Sequence, residues 1–126
     1  MTYLATSINE SPTIVEKAGA VLADVRGKAV KFAEGAVVLA GAGEAVIGVG
    51  IMTNDENIAV GADVDIQIKD IGLVQAGEAF KKGAELAANA EGKFVTAASG
   101  NYVAAIALED GVVGAYAKAR LVSYKK

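Results

Sequence analysis

The chain has 126 residues, of which 53% are hydrophobic and 21% charged, with a formal net charge of −3 and neither histidine nor cysteine. That length allows one domain, the apolar share excludes a disordered chain, and the acidic balance argues against a partner that is nucleic acid or an anionic membrane. The missing cysteines rule out a disulfide framework and leave the redox compartment unread, and the missing histidines remove the commonest general base and metal ligand.

From Met1 to about Lys17 the chain holds its only proline, Pro12, with Thr, Ser, Asn and Glu between scattered apolar residues. This reads as an extended arm ending in a short strand or turn, at residues 1–17, before a single β-rich domain at 18–126. The first ten residues have neither the cationic nor the apolar region of a signal peptide, and the apolar stretch from Ala36 to Ile51 is broken by glycines and Glu44, so no spanning helix is expected. The expectation is a soluble protein made in the cytoplasm.

Beyond Gly19, strand signals recur between turn residues, and the 15 glycines suit short strands better than long helices, where an interior glycine costs about 0.5–1 kcal/mol. Strands are expected at 28–33, 36–40, 45–51, 63–69, 72–75, 93–97, 102–108 and 116–121. Asp63 to Lys69 is the cleanest, alternating polar and β-branched residues with period two. Turns fall at Asn54 to Asn57, Glu91-Gly92, Ser99 to Asn101 and Asp110-Gly111. Only Gly77 to Asn89 has helical character, interrupted at Gly83, and a loop or one helical turn is expected there.

Three blocks recur in the same order. Gly19-Ala20-Val21-Leu22-Ala23 resembles Gly83-Ala84-Glu85-Leu86-Ala87, each followed by a Gly-Lys turn (Gly27-Lys28, Gly92-Lys93) and a strand holding Val30 or Val95. Val46 to Ile51 then resembles Val103 to Leu108, and Gly61 to Ile68 resembles Gly114 to Leu121. The pattern predicts an all-β fold, a small barrel or sandwich of short antiparallel strands with a pseudo-two-fold internal duplication. Its inner faces would be Ala62, Val64, Ile66 and Ile68 in one copy and Ala115, Ala117, Ala119 and Leu121 in the other. The alanines imply that the two copies pack differently. A core this small favours oligomerisation, which would also cover sheet edges.

Chemical motifs are sparse. Gly41-Ala42-Gly43 begins like a dinucleotide-binding turn, but Val46 replaces the last glycine and a strand follows, so a hairpin turn is expected. Asp63 and Asp65 share a strand face, with Asp55 and Glu56 nearby, yet the spacing of a calcium loop is missing and a solvated face accounts for them. Glu109-Asp110 fits turn chemistry. Catalytic, cofactor-binding and metal-binding residues are therefore expected to be none. Tyr3, Tyr102, Tyr116 and Tyr124 suit interface anchors. Tyr116 and Tyr124 share strand parity with Lys118 and Arg120, which makes that face a candidate oligomer interface.

From Ile71 onward the consecutive set Ile71 to Phe80, Gly83-Ala84-Glu85-Leu86, Glu91 to Ala97 and Ala105 to Glu109 resembles the capsid decoration proteins of tailed bacteriophages, described as head cement or head fibre proteins. The resemblance spans roughly residues 43–124 and rests on the spacing of turns and strands. It implies a non-enzymatic structural virion protein, β-rich and often homotrimeric, on the outer surface of the head, after synthesis in the host cytoplasm. Its partners would be the major capsid protein and copies of itself, with no nucleic acid, membrane or small-molecule substrate and no cofactor. The arm, with Thr2, Tyr3, Leu4, Ile8 and Pro12, would engage the capsid by adding to a sheet edge. No long fibre extension is evident, which favours cement over fibre. The rival readings are a small β-barrel ligand-binding or accessory module of a non-viral complex, and an enzyme using carboxylates.

Overall fold

The computed structural model describes residues 11–126, and across them the chain is all-β, with twelve strands and no helix. Strands β1 (Thr13–Lys17), β3 (Ala29–Ala33), β4 (Ala36–Leu39), β5 (Gly48–Gly50) and β7 (Asp63–Gln67) form one antiparallel sheet in the order β1-β7-β5-β3-β4. Strands β8 (Ile71–Gln75), β9 (Glu85–Ala88), β10 (Phe94–Thr96), β11 (Tyr102–Ala107) and β12 (Tyr116–Lys125) form another in the order β8-β12-β11-β9-β10. The short strands β2 (Leu22–Ala23) and β6 (Asn57–Ile58) pair with each other. In each large sheet the outermost strands are drawn together. Ala18, just after β1, bridges Val37 of β4, and Ala76, just after β8, bridges Phe94 of β10. Each sheet thereby curls towards a small barrel.

The two sheets are one unit built twice. Exchanging β1, β3, β4, β5 and β7 for β8, β9, β10, β11 and β12 converts one strand order into the other. The backbone bonds follow the same exchange. The Gly19 N–H donates to the Val37 carbonyl at 2.8 Å and the Gly77 N–H to the Phe94 carbonyl at 2.7 Å. The Gly61 N–H donates to Ala18 and the Gly114 N–H to Ala76, both at 2.8 Å. The Gly27 N–H donates to Gly50 at 2.7 Å and the Gly83 N–H to Ala107 at 2.8 Å. Gly27 and Gly83 both hold positive φ, 73° and 91°, where a side chain would be strained.

This register bears out two of the three expected blocks, 46–51 with 103–108 and 61–68 with 114–121, and corrects the first. Gly83 corresponds to Gly27 and not to Gly19; Val30 corresponds to Leu86, and Val95 to Val38. The similarity of the two Gly-Ala-x-Leu-Ala stretches had concealed a shift of one strand. The structure also replaces the loop or helical turn expected within Gly77 to Asn89. Glu85 to Ala88 form β9, held between β10 and β11. Leu and Ala are good helix formers, but pairing on both sides and burial of Leu86, Ala87 and Ala88 outweigh a propensity of a few tenths of a kcal/mol per residue. Thr13 to Lys17, the end of the expected arm, pair with β7 at every position; residues 1–10, with the remainder of that arm, lie outside the described residues.

Side-chain volume is traded between the units. The first fills its interior with Leu22, Val37, Ile58, Val64 and Ile66, and the corresponding positions of the second are Phe80, Phe94, Gly111, Ala117 and Ala119. Three positions shrink and two grow to phenylalanine, so the cores differ in pattern, as the alanines implied. Gly111 is required by its neighbour, because a Cβ there would stand 2.4 Å from the Phe80 ring. Of the expected inner residues, Val64, Ile66, Ala117 and Ala119 are buried, Leu121 is half-buried, and Ala62, Ile68 and Ala115 at the strand ends are exposed.

The units share one interface. The first has a core made wholly of its own residues, Ala18 to Ile66. The second completes its core with Ala29, Ala40 and Val49 from the outer face of the first. In the second unit, the place of Ala29 is taken by Glu85, which accepts hydrogen bonds from Tyr124 Oη at 2.6 Å and lies 3.1 Å from Lys126 Nζ. The outer face of the first unit is thus apolar and covered, whereas that of the second holds a small apolar cluster of its own, Ala87, Ala97 and Val103, beside the polar group of Glu85, Tyr124 and Lys126.

Candidate docking surface

The outward side of β12 forms the most distinctive surface among the described residues. Tyr116, Lys118 and Arg120 alternate with buried Ala117 and Ala119, as the period-two pattern predicts. Across the β8–β12 ladder they stand opposite Gln75, Leu73 and Ile71, so Ile71, 60% exposed, and Leu73, 41% exposed, share their face. Tyr116 lies over Gly27, where a Cβ would come within 2.6 Å of the ring. Tyr124, farther along β12, is committed to Glu85. Its hydroxyl, followed by Lys126, holds the Glu85 carboxyl below the ordinary glutamate value, and the same bond pushes the Tyr124 phenol above its own. Glu85 stands in the cross-strand row of Ile106 and Arg120, which keeps Tyr124 with the other three residues.

Beside this face runs an open crevice of about 330 Å³ between the units, walled by Val49, Met52 and Gln67 on one side and by Ile71, Leu73 and Lys118 on the other. Gln67 fixes its floor by donating to the carbonyls of Lys69 and Ile71 at 2.9 and 2.8 Å. The loop after β5 forms one wall. Its Asn54 is buried, donates to the carbonyls of Ile51 and Asp65 at 3.0 and 2.7 Å, and accepts the Asp65 N–H at 2.8 Å. The loop therefore continues the sheet through a side chain, and Asp55 and Glu56 project from it into solvent.

Charge on this surface is unevenly paired. Lys17 meets Asp63, Arg26 meets Asp24 at 2.7 Å and Lys31 meets Glu44 at 2.7 Å. By contrast, the side chains of Lys118 and Arg120 have no carboxylate within ion-pair distance among the described residues, and neither Asp55 nor Glu56 has a cation there. Repeat-related positions carry opposite sign, since Asp65 of β7 corresponds to Lys118 of β12.

The other sequence candidates fall elsewhere. Asp63 is engaged by Lys17, and no group of three potential metal ligands occurs among the described residues. Gly41 to Glu44 form a turn in which the Glu44 carboxylate accepts the Gly41 N–H at 2.5 Å, but it carries the chain from β4 across β3 to β5 and so is not the hairpin turn expected of that stretch. Glu109 and Asp110 accept the N–H groups of Lys118 and Lys82 at 2.7 and 2.9 Å, so they tie the turn to segments distant in sequence, in place of the local turn bonds expected. Tyr102 sits 5.9 Å below Lys125 Nζ. Pro12 is exposed and its carbonyl accepts the Ile68 N–H at 2.8 Å; Thr2, Tyr3, Leu4 and Ile8 lie outside the described residues. Sequence reasoning missed Met52, Ile71 and Leu73 as surface residues. The exposed side of an edge strand was the available signal for the last two.

No protein-family model matches the chain, and no curated protein matches it. Among solved structures, the fold is similar to the head fiber gp8.5 N base of bacteriophage phi29, with a TM-score of 0.66 and 17% sequence identity, over 90% of this chain and 96% of that one. The chain has the fold of that phage head-fibre base.

Proposed function

We propose that this chain is a non-enzymatic structural protein of a phage virion, bound to the outside of the head as a homo-oligomer and decorating or stabilising the shell. The observation that carries this reading is the shared fold across nearly the whole of both chains, the other being a phage head-fibre base. The partners are the major capsid protein and further copies of the chain, three per assembly, joined after synthesis in the host cytoplasm. Contact between copies uses the β12 face, with Tyr116, Lys118, Arg120 and Tyr124, whose mixture of aromatic and basic groups suits a protein interface. Thr2, Tyr3, Leu4, Ile8 and Pro12 engage the capsid. One modest contact repeated over a shell supplies large avidity.

Mixing the purified chain with heads assembled without it, followed by sedimentation, tests the proposal. Saturable co-sedimentation of a native trimer is expected, with loss of binding on deletion of residues 1–12 while the circular dichroism of the β fold persists. A monomer that stays in the supernatant would overturn it.

A further inference from the structure

Two exposed pairs of opposite charge, none of them in an ion pair among the described residues, stand beside the same apolar crevice. On one wall Asp55 and Glu56 extend from the loop that begins at Met52; on the other, Lys118 and Arg120 extend from β12 beside Leu73 and Ile71. With no ion pair among the described residues, all four are available to an outside partner. The internal repeat supplies a comparison. Opposite β12, the edge strand β8 carries Ile71 and Leu73, whereas the related positions of β1 are Thr13 and Val15, and Asp65 stands where β12 has Lys118. Either set of residues is compatible with the fold, so the fold alone does not require the basic-apolar face of the second unit.

We propose that this occupant is a second copy of the chain, whose Asp55–Glu56 loop docks against Lys118 and Arg120 of its neighbour, with Met52 of the loop meeting Ile71 and Leu73. The contact is head-to-tail, each copy giving its acidic loop to one neighbour and its basic strand to the other, and a ring closes when the rotation between copies does. It rests on the self-assembly proposed above and names the residues that carry it. Asn54 makes the loop fit for this, because its three hydrogen bonds hold the backbone from which the two carboxylates project. Complementary charges fix register and suppress wrong pairings, while apolar residues between them contribute the burial.

Native mass spectrometry of the full chain with charge reversals tests the contact. K118E/R120E and D55K/E56K are each expected to raise the concentration at half-dissociation at least about ten-fold. All four changes in one chain should restore the wild-type assembly, since the loop and the strand have exchanged sign together. K81E/K82E alters net charge as much as K118E/R120E does but lies at another turn, and should leave the mass unchanged. An oligomer indifferent to both reversals, a quadruple variant that stays dissociated, or equal disruption by K81E/K82E would overturn the pairing while leaving self-assembly standing. A wild-type chain that is monomeric throughout would overturn both.

Discussion

Replacing Phe94 by valine gives the second unit the residue that the first holds at Val37. Phe94 is fully buried in the core that also contains Ala117 and Ala119, whereas Val37 packs in a core with Val64 and Ile66. In the second unit Ala117 and Ala119 stand where the first has Val64 and Ile66, so these positions cannot fill the space vacated. Phe-to-Ala changes in cores cost about 3–5 kcal/mol, and retention of two methyl groups leaves about 2–3 kcal/mol for Phe94→Val. Ala119→Ile alone inserts three carbons beside an intact phenylalanine and costs about 1–3 kcal/mol by overpacking. Together the two changes recreate the valine–isoleucine combination of the first unit, so the double variant should be at least about 1 kcal/mol more stable than the sum of the single changes predicts. Urea unfolding followed by far-ultraviolet circular dichroism measures all four proteins, with equal slopes confirming a common transition. Additivity within about 0.5 kcal/mol would refute the volume exchange and, with it, the residue correspondence between the units.

Asn54→Ala removes both partners of the Asp65 backbone and should cost about 2–4 kcal/mol in the same unfolding assay; a loss below about 0.5 kcal/mol would mean that water replaces the side chain freely. The Glu85 carboxyl, held below its ordinary value by Tyr124 and Lys126, should titrate at higher pH in Tyr124→Phe when followed by carbon-13 NMR, and an unchanged midpoint would contradict the hydrogen bond. The sign of the linkage follows. A carboxyl lowered in the folded state contributes stability that is present above its unfolded value and fades as pH falls through the folded one, so Tyr124→Phe should narrow the difference between neutral and acid stability. At the alkaline end the raised Tyr124 phenol contributes stability that is lost as pH rises through its folded value. Gly111→Ala, which drives a methyl group into the Phe80 ring, should destabilise by about 1–3 kcal/mol, and Phe80→Leu in the same chain should recover part of it; no recovery would locate the cost elsewhere.

The legible parts of this fold were those governed by local period. Asp63 to Gln67 and Tyr116 to Arg120 alternate strictly, and each has its buried residues on the parity that the alternation assigns. Correct matching of the last two blocks followed, because the parity of apolar residues agrees in both units and Gly61 and Gly114 stand at the same distance before β7 and β12. The hairpins do not agree. The β3–β4 turn is Glu34-Gly35, both at positive φ, whereas β9 and β10 are joined across Asn89 to Lys93 with Asn89 accepting two backbone N–H groups. With no matching hairpin to correct it, the likeness of residues 19–23 to 83–87 displaced the first block by one strand. β2 and β6, with two residues each, are too short to carry any period. The β12 face was readable for the same reason as its core side. The crevice was not, since Met52 is distant in sequence from the paired Leu73 and Lys118 and meets them only because two units pack.

The one-sided interface between the units has a consequence for how the chain is made. Residues 13–67 contain every residue of the first core, so that unit can collapse while the rest is still being synthesised. The second unit, lacking Ala29, Ala40 and Val49, would hold an open interior until it meets the finished surface of the first. Vectorial synthesis supplies the two parts in that order. The first unit then serves as a template on which the second condenses, and a chain rearranged to begin at residue 70 would expose an unfinished core throughout its synthesis.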